Sequence, residues 1–141
     1  MQHRGRITNL DLANKINLSP SATLDRVRKL EEKKVITGYR TVIDPDKLGL
    51  KLHAMVLITL SRHQIASIDG FEESIRAIPE VTSCYHLTGQ YDYLAHLRVR
   101  DVEHLGSLIK HTIGSIPGVE KQETFLSLSI VKEDEGFCIE E

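Results

Sequence analysis

The chain has 141 residues, enough for one ordinary domain or two small ones, with 40% apolar and 27% charged side chains. No apolar stretch is long enough to span a bilayer, and no apolar run follows the basic start, which argues against a signal peptide. Two cysteines, Cys84 and Cys138, exclude a disulfide framework and fit a reduced, cytoplasmic setting. The formal net charge of −2 conceals an asymmetry: residues 1–40 carry nine Lys/Arg against four Asp/Glu, and the rest carries nine against sixteen. A basic head on an acidic body points to a polyanionic partner for the head alone.

The first helix is predicted to open at Ile7-Thr8-Asn9-Leu10-Asp11. Thr8 suits the N-cap, and Asp11 can close a capping box and favour the positive helix end. Leu12, Ala13 and Ile16 form its apolar stripe, and Asn17-Leu18 breaks it. Ser19-Pro20 then starts a second helix, with a capping hydroxyl and a proline in the first turn, where its missing N–H costs nothing.

From Ser21 to Lys33 the spacing is helical. Thr23, Val27 and Leu30 share one face with Leu24 beside them, while Ala22, Asp25 and Lys29 lie opposite, flanked by Ser21, Arg26 and Arg28. A helix entering the major groove needs small residues for close approach, side chains that bond base edges, and cations for phosphates. Two helices with a short break make a helix-turn-helix whose second helix reads DNA. The same polarity also describes an ordinary solvated helix. Val35 to Ile43 is a β-prone run interrupted by Gly38, either a wing or a connecting strand, with Arg40 near phosphate or near nothing. Two helices this short cannot cover each other, so either a further helix precedes Ile7 or another surface covers Leu12, Ile16 and Val27.

Asp44 to Leu50 reads as a turn and hinge. Beyond it lies a weak internal repeat: Ile78-Pro79-Glu80-Val81 recurs as Ile116-Pro117-Gly118-Val119, an offset of 38 residues that also aligns Phe71 with Ile109 and Ile75 with Ile113. Each copy reads strand, helix, strand. Ile68, Phe71, Ile75 and Ile78 stripe the first helix; Val102, Leu105, Ile109, Ile113 and Ile116 stripe the second. Two such units predict a ferredoxin-like βαββαβ sandwich, so the chain as a whole is of the α+β class. The strand from Ala54 to Leu60 is apolar on both faces, and only one can be covered by the chain's own helices. The other predicts a second copy packed sheet to sheet, a homodimer that suits two DNA half-sites.

The Thr88-Gly89-Gln90-Tyr91-Asp92-Tyr93 hairpin brings together a glycine able to take positive φ, two phenols and a carboxylate that could hold an ammonium group. A plain tight turn explains the spacing equally well. Strand alternation places Cys84, His86 and His96 on the helix-free face. No pair has strong zinc spacing, so no metal and no cofactor are expected. No nucleophile–base pairing or phosphate loop supports an enzyme.

These segments resemble the Lrp/AsnC family, the leucine-responsive and asparagine-responsive regulators. The residues are Arg6 to Asn9 and Leu12-Ala13; Leu18 to Ser21; Arg26 to Glu32; Val35 to Tyr39; Asp44-Pro45 and Leu48 to Leu50; Pro79 to Val81, Thr88 to Leu94, and Pro117 to Val119. The match runs from about Arg6 to Lys132. The resemblance implies a winged helix-turn-helix over 1–44, a hinge over 45–50, a ferredoxin-like ligand-binding and oligomerisation domain over 51–132, and a tail over 133–141 without counterpart. It implies a transcriptional regulator that binds double-stranded DNA through Ser19, Ser21, Ala22, Asp25, Arg26, Arg28 and Lys29. It implies an amino-acid effector near Thr88 to Tyr93, with Glu123, Thr124 and Ser127 of the last strand, and dimers assembling to octamers or larger forms. Three departures stand out. The family's first helix is absent ahead of Arg6-Ile7, Lys34 stands where glycine is usual, and the tail from Glu133 onward has no clear counterpart. The missing helix leaves an alternative, an amino-acid-sensing oligomer without autonomous DNA binding; an enzyme of the same architecture is the remoter reading.

Overall fold

The computed structural model describes residues 5–61, 67–132 and 136. The basic run at residues 1–4, Cys138 and all of the 133–141 tail except Gly136 lie outside the described residues. The chain divides into two compact units, Met1–Ile43 with Val131–Glu141, and Asp44–Ile130. Each is built differently.

In the first unit, α1 runs Asn9–Lys15 and α2 runs Pro20–Glu32. Thr8 caps α1, its Oγ1 accepting the Asp11 N–H at 3.1 Å. The return half of the capping box is altered: Asp11 Oδ2 accepts from the Thr8 hydroxyl at 2.6 Å. Both helices end in the same device, a residue in the left-handed region followed by an N–H that reaches back five residues. Asn17 (φ 52°) precedes the Leu18 N–H bond to the Ala13 carbonyl at 3.0 Å; Lys34 (φ 57°) precedes the Val35 N–H bond to Leu30 at 2.9 Å. Asparagine tolerates that conformation; lysine does so at a cost.

Ala13 and Thr23 are the fully buried side chains where α1 meets α2. Leu12 and Val27 are half-buried, whereas Ile16, Leu24 and Leu30 remain about two-fifths exposed. The expected strand over Val35–Ile43 does not form. β-prone residues need a neighbouring strand to hydrogen-bond, and the described residues of this unit provide none. Tyr39 instead folds back on α2, donating to Glu31 Oε1 at 2.9 Å.

The second unit opens with a 3₁₀ turn, Asp46–Leu48, closed by Gly49 at φ 76°. It continues β1 (Leu52–Leu60), α3 (Ser67–Arg76), β2 (Val81–His86), β3 (Tyr93–Val99), α4 (Val102–Ser107) running into a π-helical turn (Leu108–Ile113), and β4 (Val119–Leu126). The strands form one antiparallel sheet in the order β2-β3-β1-β4, the βαββαβ arrangement expected from the repeat. Ala54, Val56, Ile58 and Leu60 of β1 and Tyr93, Ala95, Leu97 and Val99 of β3 turn into one core with Phe71, Ile75, Leu105 and Ile113. Their neighbours Met55, Leu57 and Leu94 lie on the opposite, helix-free face and are only half-buried.

Two local irregularities revise the alternation. A bulge between Val81 and Ser83 inserts a residue into β2, so Cys84 pairs with Ala95 and His86 with Tyr93 on the helix-covered face. Cys84 and His86 are therefore not on the helix-free face, as simple alternation from the strand start requires; Tyr85 is there instead, edge-on to His96 with ring centroids 6.0 Å apart. In the second repeat the buried residues are Leu105, Leu108, Ile113 and Ile116 rather than the evenly spaced stripe, and Val102 is exposed. The five-residue gap from Leu108 to Ile113 is the signature of the π turn, whose Gly114 N–H reaches the Ile109 carbonyl at 2.9 Å.

Candidate functional site

Two groups of residues merit a functional reading, one in each unit. In the first, Ser19 caps α2 by accepting the Ala22 N–H at 3.2 Å, and its Oγ lies 3.2 Å from Ser21 Oγ. Thr23 faces inward and returns its hydroxyl to the Ser19 carbonyl at 3.0 Å. That fixes the rotation of α2: Ser21, Asp25, Arg26, Arg28 and Lys29 are exposed and Ala22 is half-buried beside them. Six of the seven residues named for DNA contact therefore sit on α2, and Ser19 is its N-cap, with its hydroxyl committed to the cap.

Asp25 and Lys29 form an i,i+4 ion pair at 2.8 Å with both side chains largely exposed. The Lys29 hydrogen bond and charge hold the Asp25 carboxyl below its ordinary range, and Asp25 in turn raises the lysine. The pair leaves Arg26 and Arg28 as the net positive charge of the face. A carboxylate neutralised in this way can stand near phosphates and still accept from a base amino group. Sequence reasoning missed Asn9, whose Nδ2 donates to the Pro20 carbonyl at 2.8 Å and ties the start of α1 to the start of α2. Nothing in spacing or polarity marks that bond.

In the second unit, Thr88, Gly89 and Gln90 form an exposed tip; Gly89 takes φ 114°, with open space where a Cβ would stand. The residues that follow separate. Asp92 continues the ladder, its N–H bonding the Ile58 carbonyl at 2.9 Å, and its Oδ2 accepts the Leu60 N–H at 2.7 Å. One carboxylate oxygen is thus spent on β1, which weakens the expectation that Asp92 holds an ammonium group. Tyr93 points into the core and donates to Glu72 Oε1, away from the tip.

Tyr91 goes the other way. Its hydroxyl donates to Glu123 Oε2 on β4, and both side chains are partly buried. Glu123 pairs in register with Leu57, hence lies on the helix-free face, so the tyrosine spans β1 to reach it. Donation to the carboxylate raises the phenol's pKa, with burial adding to the effect. Thr124 pairs with Val56 and so belongs to the other face. Ser127 lies past the end of β4, its N–H on the His53 carbonyl at 2.9 Å, at the opposite end of β1 from Leu60. The expected effector residues thus resolve into a tip with the Tyr91–Glu123 pair, Asp92 tied to β1, and three outliers, Tyr93, Thr124 and Ser127.

On the same open face, His53 Nε2 and His96 Nδ1 are 3.1 Å apart, and His53 Nδ1 is buried without a partner. Among the described residues no group of three or more His, Cys, Asp or Glu is arranged to hold a metal ion, and no helix is long and apolar enough to cross a membrane.

Comparison with known proteins bears on both units. A winged helix-turn-helix DNA-binding model matches residues 1–37, and the Lrp/AsnC ligand binding domain model matches residues 53–137. The leucine-responsive regulatory protein of Haemophilus influenzae is 36% identical over 94% of this chain and 80% of its own length. The transcriptional regulator AzlB of Bacillus subtilis is 35% identical over the whole chain and 90% of its own. Among solved structures, a transcriptional regulator of Neisseria meningitidis in complex with L-Met superposes with a TM-score of 0.90 at 30% identity, over 94% of this chain and 85% of that one. The feast or famine regulatory protein of Mycobacterium tuberculosis complexed with L-methionine gives 0.87 at 31%, over 96% and 90%. A helix-turn-helix head, a four-stranded βαββαβ body and matches that run almost end to end leave one conclusion: this chain belongs to the Lrp/AsnC family of DNA-binding transcriptional regulators, not to an enzyme family.

Proposed function

We propose that the exposed face of α2 reads operator DNA and that the tip of the β2–β3 hairpin, with Tyr91 and Glu123, receives an amino-acid effector. The observation that carries the first half is the placement of Ser21, Asp25, Arg26, Arg28 and Lys29 on one solvent-facing side of a helix whose other side is pinned by buried Thr23. Arg26 and Arg28 contact phosphate or guanine, Ser21 and Ala22 allow close approach at the helix start, and Asp25 and Lys29 meet base edges or backbone as a pair. Two relatives were solved with L-methionine bound, which supports an amino acid as the effector class here.

The helix-free face presents Met55, Leu57, Leu94 and the exposed Phe125. A second copy packed on that face would bury them and place two α2 helices for two half-sites. Such dimers assembling into octamers or larger forms, in the cytoplasm where the DNA lies, complete the reading.

Fluorescence anisotropy with the promoter fragment beside the chain's own gene tests it. Salt-sensitive, sequence-selective binding that shifts on adding L-methionine or another apolar amino acid is expected. Absence of binding even at low salt would overturn it. Arg28→Ala is expected to weaken binding about five- to tenfold across sequences and to lower the salt slope by about one. An unchanged affinity would remove Arg28 from the interface.

A further inference from the structure

The packing between α1 and α2 is thin. Ala13 and Thr23 are the only buried side chains among the described residues of the first unit, and both are small. A contact of that size sets how closely two helices approach but leaves their crossing angle soft, because no row of large side chains seats in a groove. The bonds at the turn do not stiffen it. The Leu18 N–H to the Ala13 carbonyl closes the end of α1, and the Thr23 hydroxyl to the Ser19 carbonyl closes the start of α2. Neither crosses from one helix to the other.

Asn9 does. Its Nδ2 donates to the Pro20 carbonyl at 2.8 Å, and among the described residues this is the one hydrogen bond that joins the two helices. Asn9 precedes Ala13 by four residues and Pro20 precedes Thr23 by three. With a rise of about 1.5 Å per residue, the bond stands close to one helical turn from the buried contact along both axes. Two points a turn apart fix an angle that one point cannot.

We infer that Asn9 is a positioning residue for the reader helix: it sets the tilt at which α2 enters the groove, and through that tilt the discrimination between operator and other DNA. The inference rests on the DNA-reading role proposed above for α2. Tilt bears unequally on the two kinds of contact. A slip of about 1 Å at Pro20, swung about Thr23, is a tilt of about 12° and carries Lys29, six residues beyond Thr23, by about 2 Å. The long side chains of Arg26, Arg28 and Lys29 can follow phosphates through such a movement. Hydrogen bonds to base edges, confined to about 2.7–3.2 Å, cannot. Losing the tie therefore costs sequence discrimination and spares the electrostatic grip. Asparagine suits the post because its amide supplies the donor without a charge; an aspartate there would have no N–H to give and would repel phosphate.

The test is fluorescence anisotropy of the intact protein, over a range of salt, on the promoter fragment beside its own gene and on a random duplex of equal length. Alanine favours helix, so Asn9→Ala keeps the head folded, which circular dichroism checks. This variant is expected to bind the promoter about tenfold more weakly, the loss of about one base-edge contact. On the random duplex its affinity stays within about twofold and its salt slope is unchanged, the reverse of the signature of Arg28→Ala. Asn9→Gln, which keeps the amide donor, is expected to recover most of the promoter affinity. Equal losses on both duplexes would make Asn9 a direct phosphate contact and overturn the inference. An undiminished promoter preference in Asn9→Ala, or a glutamine variant no better than alanine, overturns it too. In each of these cases the wild type still prefers the promoter, and the reading of α2 stands. A wild type without that preference overturns both.

Discussion

Tyr93 and Glu72 meet at 3.0 Å on the helix-covered side of the sheet, the phenol hydroxyl donating to the carboxylate. The ring packs 4.6 Å from Phe71 and stacks at the same separation on His86. Burial, then the Glu72 hydrogen bond and its negative charge, pushes the phenol up to about 12. The folded chain therefore holds this proton more tightly than the unfolded chain, whose tyrosines ionise near 10. The resulting stability is complete below pH about 10 and is lost as pH rises towards about 12. Alkaline titration of phenolate absorbance should show a last step that Tyr93→Phe removes. Four tyrosines ionising together near 10 would contradict it.

His53 behaves in the opposite sense. Burial disfavours its imidazolium most, with the charges of Arg98 and His96 adding repulsion. Its folded pKa lies below the unfolded value of about 6.5. Stability from keeping this ring neutral is present above that value and is lost as pH falls through the lower, folded one. Urea midpoints measured against pH should fall more steeply on the acid side for the wild type than for His53→Gln. Parallel curves would show that the ring carries no linkage.

Lys34 ends α2 in a conformation that suits glycine. A left-handed L-residue costs about 1–2 kcal/mol, partly offset because glycine loses more entropy on folding. Lys34→Gly is expected to stabilise the first unit by about 0.5–1 kcal/mol, measured by denaturant midpoint, while Lys34→Ala leaves it nearly unchanged. A destabilised glycine variant would mean that the lysine side chain contributes more than the backbone strain.

Gly114 is constrained from outside rather than by φ. A Cβ there would stand 2.7 Å from the Ile109 carbonyl oxygen and 2.9 Å from Gln122 Nε2, which itself donates to Ile109 at 3.3 Å. Gly114→Ala must open the π turn or push Gln122 off β4, and Gln122 Oε1 is already buried without a partner. A loss of about 1–3 kcal/mol follows. Equal stability would show that this turn yields freely.

Much of this was legible in the residues, for identifiable reasons. Thr8, Ser19 and Pro20 announce helix starts because capping is a local transaction between neighbours in the chain, and both caps form. The repeat around Pro79 and Pro117 exposes the sheet order because each copy must bury its own helix stripe. What failed to show was decided at a distance or by one residue. The bulge at Val81–Ser83 reverses every later side chain of β2, and no residue there advertises it. The gap from Leu108 to Ile113 mimics an ordinary stripe until Leu108 is seen to be buried. Tyr91 and Tyr93, two residues apart and chemically identical, part company because only one lies within the strand.

The extra residue in β2 also decides which chemistry the open side of the sheet presents. Without it the thiol of Cys84 would stand where Tyr85 now meets His96; with it the sulfur is tucked against the core, where burial first and Glu72 second raise its pKa and blunt its nucleophilicity. Whatever docks beside Tyr85 therefore meets a phenol that peroxide leaves alone, and association through that side is insulated from the oxidation state of Cys84.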